Sequence, residues 1–145
     1  MFKVDFRPHR PPRVGAWLLA CVSAIVTSLI ADAVLVKLGE ALYPATKGYQ
    51  HFQFSDYAKL TIIGVVIACV GWQVVVRITS QPTWLFLRAA ILVTLVLLLP
   101  DLYIWWQGQP TNAVFVLVWM HLGIAIATYL SLVLLSPVQR ARRQG

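Results

Sequence analysis

Four stretches of the chain stay apolar for about the 20 residues that a helix needs to cross a bilayer. They lie at about Val14–Leu38, Asp56–Ile78, Thr83–Tyr103 and Thr111–Leu135. Hydrocarbon offers no water to unpaired backbone groups, and runs this long in a chain of 145 residues do not make a closed barrel. Each stretch is therefore expected to be a helix that satisfies its own backbone. Composition supports this: 59% of the residues are hydrophobic and 12% charged, against about 25% charge in a soluble domain. The expected fold is all-α, a transmembrane four-helix bundle spanning 14–135. A basic tail, 1–13, precedes it and another, 136–145, follows.

Local signals mark the helix ends. Gly39 stands where a C-terminal cap would end the first helix, and Ser55 or Asp56 can cap the second. Ser80-Gln81-Pro82-Thr83 predicts a tight hairpin turn. Pro100 falls near the end of the third helix, where it can kink or stop it. Gly108-Gln109-Pro110-Thr111 makes the last turn, and Ser136-Pro137 ends the fourth helix. The first run is expected to be a retained helix, since it is too long for a signal peptide's apolar core and no small-x-small site ends it.

The formal charge of +7 comes from twelve Lys and Arg against five Asp and Glu. Position gives this excess a topological meaning. Lys3, Arg7, Arg10 and Arg13 precede the first run, Arg77 and Arg88 flank the middle connection, and Arg140, Arg142 and Arg143 follow the last. Only Lys37, Lys47 and Lys59 lie on the other side. Cytoplasmic segments carry the Lys/Arg excess, so both termini are expected in the cytoplasm, with the protein in the plasma (inner) membrane. Trp17 and Trp84 then fall at the inner interface and Trp105 and Trp106 at the outer one, the headgroup depth that suits indole rings. Trp72 lies near the inner end of the second helix and Trp119 near mid-membrane. The basic ends also suit anionic lipid. No basic face interleaved with aromatics suggests nucleic acid.

The outer loop, about Gly39 to Ser55, holds Tyr43, Tyr49, Phe52 and Phe54, with a partly alternating stretch around His51. It is expected to lie against the outer membrane face. Cys21 and Cys69 are expected to pack as small apolar residues at different depths, without a bridge.

Few residues do not suit a bilayer. Asp32 lies inside the first span, where a carboxylate costs about 2.5–3.5 kcal/mol at the centre and less toward the interface. Ser28 is one turn away, and the spacing 21, 25, 28, 32 gives Cys21, Ile25, Ser28 and Asp32 one face. His121 lies well inside the fourth span, with Thr128 on the same face. A lone intramembrane His is a poor basis for haem, because His9 and His51 lie outside the spans. Asp101 and Asn112 fall at the outer ends of the third and fourth helices. The sequence thus offers a candidate polar pocket of Asp32, Ser28, Asp101, Asn112 and His121, in which an Asp–His pair can relay protons.

Gly64, Ala68 and Gly71 form one small-residue face, and Gly123, Ala127 and Ser131 another. Such faces let helices approach closely, within the bundle or in a homodimer or larger membrane complex. No phosphate-binding loop, zinc motif or nucleophile elbow is present, so no enzyme activity, metal or cofactor is expected.

Gly71-Trp72, the Thr79–Trp84 turn, Pro100 and Met120-His121-Leu122 together resemble a family of small four-helix bacterial membrane proteins known only as a domain of unknown function. The resemblance covers most of Val14–Leu135 and implies fold and location but no activity. Small multidrug exporters also place an acidic residue in the first of four helices, but earlier than Asp32 and without a long outer loop. Vitamin-K-epoxide-reductase-like bundles need a cysteine pair in a motif missing here. The leading expectation is a non-enzymatic accessory or scaffold subunit that self-associates or packs against a larger complex. The alternative is a small proton- or ion-coupled transporter using an outward-facing pocket around Asp32 and His121.

Overall fold

The computed structural model describes residues 12–44, 54–79 and 81–137. It contains α1 (Val14–Leu42), α2 (Phe54–Ile78), α3 (Pro82–Trp106) and α4 (Thr111–Leu135), each long and apolar enough to cross a membrane. Most of the alternating stretch around His51, Ser80 of the expected hairpin turn, and the basic tails apart from residues 12–13 and 136–137 lie outside the described residues.

The helices run up and down. Trp17 at the start of α1 donates its indole N–H to the Cys69 carbonyl of α2 at 3.2 Å. Trp72 donates to the Ser136 carbonyl just past α4 at 3.1 Å. Its ring meets Phe86 of α3 edge-on, and Phe86 stacks on Tyr129 of α4. These contacts gather the starts of α1 and α3 and the ends of α2 and α4 at one end of the bundle, the terminal face. The opposite end, with the connections after α1 and α3, is the loop face.

The α1–α4 seam is the largest helix pairing, and α3 rests mainly on α4. Lipid is as apolar as leucine, so what holds such a seam is close packing and interhelical polar contact rather than hydrophobic burial. Along α1 the buried line is Ala20, Ala24, Ser28, Asp32, Val36 and Gly39. Small residues on this line let α4 come close: Gly123 of α4 lies against Leu35 and Ala31. Helix α3 is different. Only Pro82, Phe86 and Asp101 are fully buried on it, an apolar anchor near one end and a carboxylate near the other, with a half-buried line between them that includes Ala90, Thr94 and Leu98.

Several boundaries differ from the expected ones, each for a local reason. Helix α1 continues past Gly39 to Leu42. Gly39 is no cap; a Cβ placed there would stand 2.7 Å from Val116 Cγ2, so it marks where α1 and α4 approach most closely. At about 1.5 Å per residue, the 29 residues of α1 span about 43 Å, more than a hydrocarbon core of about 30 Å. Its last turns reach polar surroundings, where Lys37 and Glu40 pair at 3.8 Å. Ser55 and Asp56 lie inside the first turn of α2 rather than ahead of it.

Helix α3 runs through Pro100 to Trp106. Proline removes one backbone donor, but the helix continues and ends at Gly108, whose φ of +92° is the left-handed conformation glycine tolerates. Gly108 N–H donates to the Trp105 carbonyl and Gln109 N–H to that of Ile104. This is a Schellman closure. At the start of α3, Pro82 takes the first-turn position that needs no N–H.

Cys21 and Cys69, expected at different depths, meet across the α1–α2 interface as free thiols. Measured from the shared terminal face, Cys21 is seven residues into α1 and Cys69 nine residues from the end of α2. The two levels therefore differ by only about 3 Å at 1.5 Å per residue.

A methyl group at Gly39 forces the β-branched Val116 to move. Gly39→Ala is expected to lower stability by about 1–3 kcal/mol, the usual cost of overpacking. Adding Val116→Ala should recover most of the loss. Thermal unfolding of the detergent-solubilised protein, followed by tryptophan fluorescence, checks both variants; an unchanged Gly39→Ala midpoint would remove the close approach.

Candidate functional site

The interior of the bundle is divided by polarity. Toward the terminal face lies the larger apolar cluster, built around Ala24, Val65, Cys69, Trp72, Phe86 and Leu132. Nearer the loop face lies a smaller one of Val36, Ala113, Val116, Leu117 and Met120. Between them every helix contributes polar side chains. These are Ser28 and Asp32 from α1, Thr61 from α2, Asp101 from α3, and His121 and Thr128 from α4; all except His121 are buried.

Asp32 is fully enclosed, with no exposed surface. Thr61 donates its hydroxyl to Asp32 Oδ2 at 2.6 Å, a length typical of a hydroxyl bound to an ionised carboxylate. The other oxygen, Oδ1, is buried without a hydrogen-bond partner. One turn along α1, the Ser28 and Thr128 hydroxyl oxygens stand 3.4 Å apart.

The second carboxylate is paired. His121 Nδ1 lies 3.0 Å from Asp101 Oδ2 and 2.9 Å from the Leu117 carbonyl of its own helix. Direction separates the two contacts: Asp101 Oδ2 receives no well-aimed hydrogen bond, so its approach to the ring is electrostatic, whereas the carbonyl takes the hydrogen. Both neighbours of Nδ1 are acceptors, which fixes the hydrogen on Nδ1 and leaves Nε2 as the atom that gains or loses a proton. The directions in which helical side chains lean explain the meeting. Each Cβ tilts toward its helix N-terminus, so Asp101 leans toward the terminal face and His121 toward the loop face, and they converge between their own levels. Asp32 and His121 are close enough to feel each other's charge.

Of the five residues expected in the polar pocket, Asp32, Ser28, Asp101 and His121 occupy this interior layer. Asn112 does not; it is exposed on the first turn of α4. It precedes His121 by nine residues, which at 100° each places it about 180° around the helix. Cys21 and Ile25 are half-buried beside the fully buried line of α1 rather than on it. Thr61 completes the layer without having been expected. Its signal was its position on the inward stripe of α2 with Ala58, Val65, Cys69 and Trp72.

The two small-residue faces also separate. Gly123 packs on α1, and Ser131 is buried. On α2, Ala68 touches the apolar cluster, but Gly64 is exposed, and neither Gly64 nor Gly71 has a neighbour within reach of an added Cβ. Trp119 faces outward beside Phe115. Trp84, with Arg88 over its ring at 4.0 Å, stands at the terminal face, whereas the Trp105 indole donates to Thr111 at the loop face. Among the described residues, no three His, Cys, Asp or Glu side chains are grouped to hold a metal ion.

Fold and interior together define a small multi-pass integral membrane protein with a charged layer inside its bundle. The chain belongs to a family of unknown function (DUF6069), whose model matches residues 8–140, in keeping with the family resemblance of its sequence. No curated protein and no solved structure matches it.

The Thr61–Asp32 contact gives a test of the layer. Interhelical hydrogen bonds in membranes average about 0.6 kcal/mol, and bonds to an ionised group are about twice as strong. A double-mutant cycle of Thr61→Val and Asp32→Asn, read by unfolding in detergent, should give a coupling of about 1–2 kcal/mol. A coupling near zero would mean the two side chains act independently.

Proposed function

We propose that this protein is a proton-coupled carrier of the plasma membrane, both termini cytoplasmic, in which the Asp32–Asp101–His121 layer takes up and releases the coupling ion. One observation carries the reading: three titratable side chains from three helices lie in one layer of the bundle interior, where ionisable groups are rare and mark ion or proton pathways. His121 supplies an exchangeable nitrogen at Nε2. Asp101 holds the ring, and Asp32 is the enclosed carboxylate that responds to the ring's charge. The layer lies in the loop half. His121 keeps 27% of its side chain exposed, whereas the larger apolar cluster separates the layer from the terminal face. That asymmetry suits a site loaded from outside and opened inward by movement of the lightly packed α3. No covalent step is assigned to it.

A second reading is an accessory or self-associating subunit. The outward Gly64 face favours it, since an exposed glycine with open space in front of it lets another helix come close. Native mass spectrometry of the gently extracted protein separates the two: a stable assembly with other subunits supports the accessory role, and a monomer or homodimer leaves transport.

Purified protein in liposomes should acidify the lumen when a potassium diffusion potential drives protons inward, as followed by a trapped pH-sensitive dye. Asp32→Asn and His121→Ala should each lower the rate at least about tenfold, a loss equal to about 1.4 kcal/mol of barrier. Wild-type rates in both variants would defeat the carrier reading. The orientation has its own check. In a chain otherwise free of cysteine, a thiol at Gln144 should react with an impermeant maleimide only after cells are opened, whereas one at Gln109 should react in intact cells.

A further inference from the structure

The polar layer holds more oxygen than a proton relay uses. Serine and threonine in a membrane helix commonly return their hydroxyl to a carbonyl three or four residues back. The outer hydroxyls here do so: Thr27 bonds Ser23 and Ala24, and Thr94 bonds Ala90. The buried hydroxyls do not. Thr61 turns to Asp32, and Ser28 and Thr128 turn to each other. Three helices thus direct hydroxyl oxygens into one enclosed layer beside a carboxylate whose Oδ1 is buried and unpartnered.

Charge points the same way. Tyr57 of α2 and His121 of α4 are the titratable groups that interact with Asp32, and Asp101 of α3 adjoins His121. When both carboxylates are ionised, one protonated imidazole leaves the layer one positive charge short. Lys37, the nearest cation along α1, is solvent-exposed and paired with Glu40. An uncompensated charge costs several kcal/mol in a low-dielectric interior, so the layer has room for one more cation. Hard oxygen ligands suit alkali and alkaline-earth ions rather than soft metals. One free carboxylate among neutral hydroxyls suits a single charge rather than two.

We infer that Asp32, with the hydroxyls of Ser28, Thr61 and Thr128, forms a binding site for a small monovalent metal cation, Na⁺ in chemical class, in the interior of the bundle. The inference rests on the reading of this layer as an ion site and names a second coupling ion for it.

The test uses the full-length protein in detergent, with sodium, potassium or choline as the only added monovalent cation, at equal ionic strength. Sodium should raise the thermal midpoint above that in potassium or choline, and radiolabelled sodium should bind with one ion per chain. Asp32→Asn should abolish both effects. Ser28→Ala and Thr61→Val, milder changes that keep the carboxylate, should each weaken sodium binding about tenfold. Equal midpoints in sodium and choline, equal effects of sodium and potassium, or sodium binding that survives Asp32→Asn would each overturn the site. If Asp32→Asn does not fold, the Ser28→Ala and Thr61→Val titrations decide, and unchanged affinity in both overturns it. Proton flux that persists without sodium binding removes this inference alone; loss of both removes the carrier reading as well.

Discussion

A carboxylate cannot face hydrocarbon, and the rest of this bundle is arranged around that constraint. Asp32 and Asp101 lie within apolar helices, where an outward-facing charge would be expensive. Each therefore fixes the rotation of its helix. On α1, turning Asp32 inward turns Ala20, Ala24, Ser28, Val36 and Gly39 inward with it. That line of mostly small residues allows α4 to pack closely, which brings Val116 onto Gly39 and Gly123 onto Leu35. On α3, Asp101 is the one buried polar group, so its contact with His121 sets which face meets α4. The polar layer is thus both the least stable place to put these groups and the feature that specifies helix orientation.

The two carboxylates are handled differently, which gives the layer its character. Asp101 meets an imidazole that is also held by its own helix carbonyl, so the ring's position is determined twice. Asp32 has a single hydroxyl on one oxygen and nothing on the other. Burial without full satisfaction is costly. A bundle whose only task was to pack would be better served by leucine or alanine at position 32, since replacing buried charges with apolar residues is often neutral or stabilising. Retaining an under-satisfied carboxylate at the best-packed seam is the physical argument for a bound ion or proton.

Much of this was legible in the sequence, because a bilayer imposes simple rules on length and charge. The span Thr111–Leu135 coincides with α4, and apolarity alone located the other three helices. Asp32, Asp101 and His121 stood out as ionisable groups among apolar residues. Contacts between helices were less legible. Thr61 was hidden because a threonine in a membrane helix usually satisfies itself, as Thr27 and Thr94 do, and only the facing carboxylate distinguishes it. Asn112 looked suitable by depth, but depth ignores rotation, and nine residues reverse the face. Gly39 resembled a cap because glycine serves both chain ends and close approaches, and only the partner helix shows which.

Uneven packing connects this layer to movement. Helices α1 and α4 share a tight seam, while α3 buries few of its residues fully and contains Pro100, which removes a backbone hydrogen bond one residue before Asp101. The fully buried side chains of α3 past its first turn are Phe86 and Asp101, so the Asp101–His121 contact is a titratable clasp on its loop-side half. Changing the charge on His121 changes the attraction that keeps the loop-side half of α3 against α4. Loading an ion beside Asp32 changes the field at the same ring. The interaction that orients α3 is therefore also one through which the proposed ion would reach it, so the features that make the fold specific and those that would let it switch are the same few side chains.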